Sequence, residues 1–116
     1  MFYYLATPYS KYKGGLDAAY KMALDATAKI MGMGYPVYSP IVHGHPVAAR
    51  AGIHMTDHDF WMKVDAPMME SAKGIIVYMA TGWEESRGMA HEIKEFVRMR
   101  KPILHIQPFF PEHRSC

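Results

Sequence analysis

Gly74-Ile75-Ile76-Val77-Tyr78-Met79 is the stretch on which the fold turns. Its β-branched and aromatic side chains follow one another with no alternating polar partner, so both faces of the strand need apolar cover. A strand buried on both faces belongs in a parallel sheet sandwiched by helices. Outward toward the C-terminus, a polar turn from Ala80 to Glu85 leads to Ser86, which is placed to cap a helix. The inward stripe of that helix is Met89, Ile93, Phe96, Val97 and the stem of Arg100. Pro102 to Gln107 reads as a last strand, and Pro108 to Cys116 as an irregular tail.

Toward the N-terminus the pattern repeats. Phe2 to Ala6 is a short apolar run that stops at Thr7-Pro8, as a buried first strand would. Leu16, Ala19, Tyr20, Ala23, Thr27, Ile30 and Met31 recur at helical spacing, and Gly32 and Gly34 supply the stop. Tyr35 to Ser39 reads as a second strand with Pro36 near its start. Pro40 to His54 holds Gly44, Pro46 and Gly52 without a clean period and reads as a functional loop. Thr56-Asp57-His58-Asp59 carries a helix-start pattern. A short helix is expected there, with Asp65-Ala66-Pro67 opening a further segment through Ala72.

Strands alternating with helices predict an α/β fold, a small flavodoxin-like or Rossmann-like parallel sheet of four to five strands with helices on both faces. Residues 1–116 are expected to form one domain. With strand order 2-1-3-4, the ligand crevice falls between the first and third strands, where the order reverses. The loops leaving those strands are Thr7 to Ser10 and Ala80 to Glu85.

Composition narrows the function classes. Half the residues are hydrophobic and 21% are charged, so a packed core is expected and disorder is not. The net charge of +2 does not supply the concentrated basic face that polymeric nucleic acid requires. Arg98-Met99-Arg100-Lys101 is better placed as cations at a helix C-terminus. No run approaches the ~20 apolar residues of a membrane span, and the N-terminal residues do not resemble a signal peptide. A lone cysteine, Cys116, excludes an intramolecular disulfide and fits a reducing compartment. Together these point to a cytoplasmic protein with a small-molecule partner.

Glu92 is the first candidate for chemistry. It lies three residues after Met89 and four before Phe96, on the stripe that should face the interior. A carboxylate there must be paired or line a cleft; a shift of one turn in the helix would instead make it a surface residue. Ser86-Arg87-Gly88 offers a serine hydroxyl, free backbone N–H groups and the positive end of a helix dipole to an anion. The same residues also fit an ordinary serine cap. Asp65 is the second acid, placed either for catalysis or as a helix cap before Pro67. Asp57 and Asp59 read as cap and first-turn acids. His43, His45, His54 and His58 match no strong metal-ligand spacing, and His43 and His45 read better as ligand-contacting loop residues. Tyr9 and Trp83 can stack on a base or cover the ends of the sheet.

Taken together, Tyr4-Leu5-Ala6-Thr7-Pro8-Tyr9-Ser10, the acid Asp65 and Ser86-x-Gly88-x-x-x-Glu92 resemble the nucleoside 2-deoxyribosyltransferase superfamily. More narrowly, the chain is similar to small phage and bacterial proteins grouped as a domain of unknown function (DUF1937-like), which share a loop like Ser39 to His45, and to nucleotide N-glycosidases. The resemblance runs from Phe2 to about Gln107. It implies that Glu92 attacks an anomeric carbon, that Asp65 positions the sugar or assists base departure, and that Tyr4 orients Glu92. Ser86 and Gly88 would then hold a 5′-phosphate, with Thr7, Tyr9 and Ser10 on the first loop beside it. No cofactor or metal is called for, and a homodimer or larger homo-oligomer is expected. The implied reaction is N-glycosidic cleavage, or deoxyribosyl transfer, on a (deoxy)nucleoside 5′-monophosphate. Two alternatives stand beside it: a nucleotide-binding sensor without turnover, and a metal-dependent hydrolase using His43, His45 and Asp57 to Asp59.

Overall fold

The computed structural model describes residues 1–111, so Cys116 and the end of the tail lie outside the described residues. The elements follow the order β1 (Tyr3–Ala6), α1 (Leu16–Gly32), β2 (Val37–Tyr38), α2 (Pro40–Ala51), α3 (His58–Ser71), β3 (Gly74–Tyr78), a 3-10 turn (Trp83–Glu85), α4 (Arg87–Arg98) and β4 (Ile103–Ile106). The four strands are parallel, in the order β2-β1-β3-β4. This is the expected α/β architecture, and it puts β1 and β3 side by side at the reversal of strand order.

Alternation along the two central strands sorts the core into two layers. Tyr4, Ala6, Ile75 and Val77 point to one face and pack with Met69 of α3 and with Met89 and Phe96 of α4. Leu5, Ile76 and Tyr78 point to the other and pack with Ala26 and Ile30 of α1. Every residue of β3 is buried, as its uninterrupted apolar run requires. The edge strand β4 is half exposed. On α1 the inward stripe is built from Ala19, Ala23, Ala26, Thr27 and Ile30, while Leu16 and Met31, expected on that stripe, are exposed.

The segment read as a loop from Pro40 onward is a helix, α2. Ser39 accepts a hydrogen bond from Val42 N at 3.1 Å and Pro40 occupies the first turn, where a missing N–H costs nothing. The apparent loop signals have other causes. Gly44 packs so closely on Trp61 that a Cβ would lie 3.2 Å from its ring, Gly52 ends the helix in a left-handed conformation, and Pro46 is tolerated inside it. Likewise α3 is one continuous helix, with Pro67 inside it and Asp65 two turns from its start. Its cap is Asp57, which accepts from Phe60 N at 3.2 Å, and Asp59 lies in the first turn.

Ser86 caps α4, accepting from Met89 N at 3.2 Å. The buried stripe of α4 is Met89, Glu92 and Phe96, with Ile93 half-buried. Val97 is 59% exposed and Arg100 lies beyond the helix at φ 55°, so neither belongs to the stripe as expected. Arg98 does sit in the last turn of α4, paired with Glu95. Lys101 instead donates to the carbonyls of Met69, Glu70 and Ala72, closing the C-terminus of α3.

Gly82 locks the two loops that frame the crevice. It sits at φ 88°, and a Cβ there would collide with the carbonyl oxygen of Lys11 on the β1–α1 loop. Gly82→Ala is therefore expected to lower stability by about 1–3 kcal/mol, from left-handed strain and the lost loop contact. A thermal melt unchanged by the substitution would show that the loops do not depend on this approach.

Candidate functional site

The crevice between β1 and β3 opens into a cleft of about 220 Å³. Thr7, Tyr9 and Ser10 line it from the loop after β1, and Ser86, Arg87 and Gly88 from the start of α4. Asp65 of α3 and Glu92 of α4 contribute the two acids. Tyr4 supports the floor from β1, donating its hydroxyl to Glu92 Oε2 at 2.5 Å. Of the residues anticipated from sequence, these are brought to one place. The Arg87 and Gly88 N–H groups belong to the first helical turn, which has no intrahelical acceptor for them.

His43, His45 and Trp83, expected as ligand contacts, do not line the cleft. His43 is exposed, with its ring 5.8 Å from that of Tyr38. His45 is engaged with Tyr9 and Asp17 and stacks on Tyr20. Trp83 packs against His105 and the core layer under α4. Conversely, His58, considered from sequence only as a metal ligand, forms a wall with Trp61 and Met62, neither of which the sequence singled out. His58, the adjacent pair Trp61 and Met62, and Asp65 follow one another three or four residues apart along α3, on one face. Dividing that helix at Asp65 hid the shared face.

The electrostatics follow from burial. The Glu92 carboxyl is pushed up to about 8, chiefly by burial and further by the nearby Asp65 charge, with the Tyr4 hydrogen bond pulling the other way. Asp65 is pushed up to about 6 by burial, offset by the Tyr38 hydroxyl at 3.4 Å and by His43. The Tyr4 hydroxyl is held well above its usual range by burial and by the Glu92 and Asp65 charges, so it remains a donor. Near pH 7 the two carboxyls therefore share about one proton, and in the unliganded cleft Glu92 holds it.

One polar atom is left over. Thr7 Oγ1 is buried and has no hydrogen-bond partner among the described residues. Leaving such a group unpaired costs about 1–3 kcal/mol, and a ligand in the cleft that Thr7 borders can offset it. Among the described residues no three His, Cys, Asp or Glu side chains stand together as metal ligands would. His43 and His45 lie on α2, apart from Asp57 to Asp59 at the start of α3. No helix among the described residues is long and apolar enough to cross a membrane.

A family model described as a domain of unknown function (DUF1937) matches residues 2–107. No curated protein matches the chain.

The buried carboxyls set a pH dependence of stability. Both have folded-state values above their unfolded ones, so the native protein retains protons that the unfolded chain releases. Their contribution to stability is then fully present below about pH 4 and is lost as pH rises, through about 6 for Asp65 and about 8 for Glu92. The loss is on the order of a few kcal/mol. Thermal melts from pH 4 to 9 should show this decline in wild type and a shallower one in Glu92→Gln. Parallel curves would mean that Glu92 ionises as freely in the native protein as in the unfolded chain.

Proposed function

The chain belongs to the DUF1937 family, and we propose that this member breaks the N-glycosidic bond of a (deoxy)nucleoside 5′-monophosphate through the Glu92 carboxylate. The observation that carries the reading is the placement of Glu92 on the cleft floor. It is fixed by Tyr4, accompanied by Asp65, and sits on the helix whose start presents Ser86, Arg87 and Gly88 to the same cleft. A carboxylate nucleophile with a second acid is the pairing used in retaining glycoside hydrolysis. The helix start suits a phosphate, and Trp61 and Met62 supply an apolar wall for a base. The resemblance to nucleoside 2-deoxyribosyltransferases and nucleotide N-glycosidases, carried by Tyr4 to Ser10, Asp65 and Ser86 to Glu92, supports the same reaction.

The proton shared by the two carboxyls matches the needs of the first step. A Glu92 oxygen bonds to the anomeric carbon as the bond to the base nitrogen breaks. The bonding pair leaves with the base, which takes the shared proton, delivered from Asp65. Moving that proton from Glu92 to Asp65 beforehand costs about 3 kcal/mol, the difference between their values of about 8 and about 6. Water, or a second base, then attacks the anomeric carbon and loses a proton to Asp65, and Glu92 departs as a carboxylate. Water gives hydrolysis and a base gives transfer. A homo-oligomer and a cytoplasmic setting belong to the same proposal, supported by the resemblance and by the single cysteine respectively.

One observation favours a second reading, a nucleotide sensor without turnover. A protonated Glu92 is a hydrogen-bond donor rather than a nucleophile. The metal-hydrolase reading lacks a ligand set among the described residues.

The test is incubation with a panel of nucleoside and deoxynucleoside 5′-monophosphates, with free base followed by chromatography. The expected result is base and sugar phosphate in equal amounts, undiminished by a chelator. Activity should fall at least about a thousandfold in Glu92→Gln and about a hundredfold or more in Asp65→Asn. kcat/KM should be bell-shaped between pH about 6 and about 8. Below this window neither carboxyl is ionised, and above it neither can act as the acid. Folded protein that binds nucleotides but releases no base from any of them would favour the sensor.

A further inference from the structure

Outside the pair of acids, three side chains form a continuous hydrogen-bonded line from the cleft wall to the surface. The Tyr9 hydroxyl lies 2.6 Å from His45 Nδ1, and His45 Nε2 lies 3.1 Å from Asp17 Oδ1. Tyr9 is buried and borders the cleft beside Thr7 and Ser10, whereas the Asp17 side chain is 90% exposed at the start of α1. The ring of Tyr20 stacks on His45 at 4.6 Å and 15°, holding the imidazole in place. The line joins the β1–α1 loop, α1 and α2. The groups facing His45 from those elements are Tyr9, Asp17 and Tyr20.

The heavy-atom geometry accommodates two proton arrangements. When His45 is neutral with its proton on Nε2, it donates to Asp17 and accepts the Tyr9 hydroxyl proton at Nδ1. When His45 is protonated, Nδ1–H donates to the Tyr9 oxygen, and the Tyr9 proton is released for another acceptor. Among the described residues the Tyr9 hydroxyl has no second partner, so that acceptor must come from a ligand or solvent. Ser86, Arg87 and Gly88, the helix start suited to an anion, line the same cleft as Tyr9. The β1–α1 loop that carries Tyr9 abuts the β3–α4 loop at Gly82 and Lys11, and the latter loop leads into Ser86, Arg87 and Gly88.

We propose that Tyr9, His45 and Asp17 form a proton-linked contact for a phosphate group bound in the cleft. As a phosphate oxygen accepts the Tyr9 hydroxyl hydrogen bond, His45 Nδ1 takes one proton from solvent. Asp17 balances the charge of the resulting imidazolium. No covalent bond other than N–H is formed. Binding is thus accompanied by proton uptake and weakens as pH rises. This rests on the reading that the cleft holds a phosphate-bearing ligand, and not on the chemistry at Glu92.

Titration calorimetry in buffers of different ionisation enthalpy measures that uptake, with deoxynucleoside 5′-monophosphates in one arm and inorganic phosphate in the other. Wild type should take up protons with the nucleotides. Uptake with inorganic phosphate as well would locate the contact at a phosphate subsite that acts without the nucleoside. Tyr9→Phe should bind roughly tenfold more weakly, as for loss of one hydrogen bond to a charged group, and both Tyr9→Phe and His45→Asn should lose the uptake. Nitrogen NMR of the unliganded protein at pH 8 should find the His45 proton on Nε2. A proton on Nδ1, uptake unchanged in Tyr9→Phe, or no binding of any probe would overturn the proposal. Uptake that persists in a protein releasing no base would leave the relay standing and remove the glycosidase reading instead.

Discussion

The hydrogen bond from Tyr4 to Glu92 joins β1, one of the two central strands, to the helix that forms one wall of the cleft, 88 positions apart in the chain. It is also the only direct hydrogen bond that Glu92 receives from a side chain among the described residues. Burial alone makes an ionised carboxylate there expensive, and a single neutral donor offsets only part of that cost. The group therefore keeps its proton at neutral pH. Such a carboxyl is destabilising for a fold that needs it only for packing, since a methionine or leucine would fill the same space at no electrostatic cost. Its presence on the stripe between Met89 and Phe96 is the feature that the proposed function explains and that packing alone does not.

The parallel topology explains why the rest of the site assembles around that bond. Strand order β2-β1-β3-β4 places the loops after β1 and β3 next to each other, and both α3 and α4 lie over the face to which Tyr4 points. Asp65 and Glu92 thus approach from neighbouring helices, while Ser86 to Gly88 and Thr7 to Ser10 meet at the reversal point. The Thr7 hydroxyl, without a partner among the described residues, adds a second local cost at the same cleft. A site that concentrates two unfavourable burials is preorganised for something that relieves them.

Much of this was legible in the residues themselves. The run Gly74 to Met79 and the serine at 86 determine the central strand and the start of α4, because uninterrupted β-branched residues and a side-chain cap are local signals. Glu92 was legible as an acid on an apolar stripe. What local signals do not carry is context from other elements. Gly44 and Pro46 break the helical pattern of α2, yet Gly44 is small because Trp61 presses on it. Asp65 before Pro67 imitates a cap, although the helix passes through both. Reading α3 as one helix would have placed His58, Trp61, Met62 and Asp65 on a common face. The partners of Glu92 and Asp65, namely Tyr4 and Tyr38, come from strands distant in sequence; no spacing rule connects either pair, the first was implied only by the family resemblance, and the second was not anticipated. His45, for its part, has the look of a ligand contact but supports Tyr9 instead.

The proposed reaction requires that Glu92 bond covalently to the sugar. Mass spectrometry of protein quenched in acid after exposure to a 2′-fluorinated deoxynucleotide tests it most directly, because the fluorine slows breakdown of the glycosyl ester. The expected result is one sugar-phosphate adduct on the peptide containing Glu92, absent from Glu92→Gln. Release of base with that peptide unmodified would contradict it.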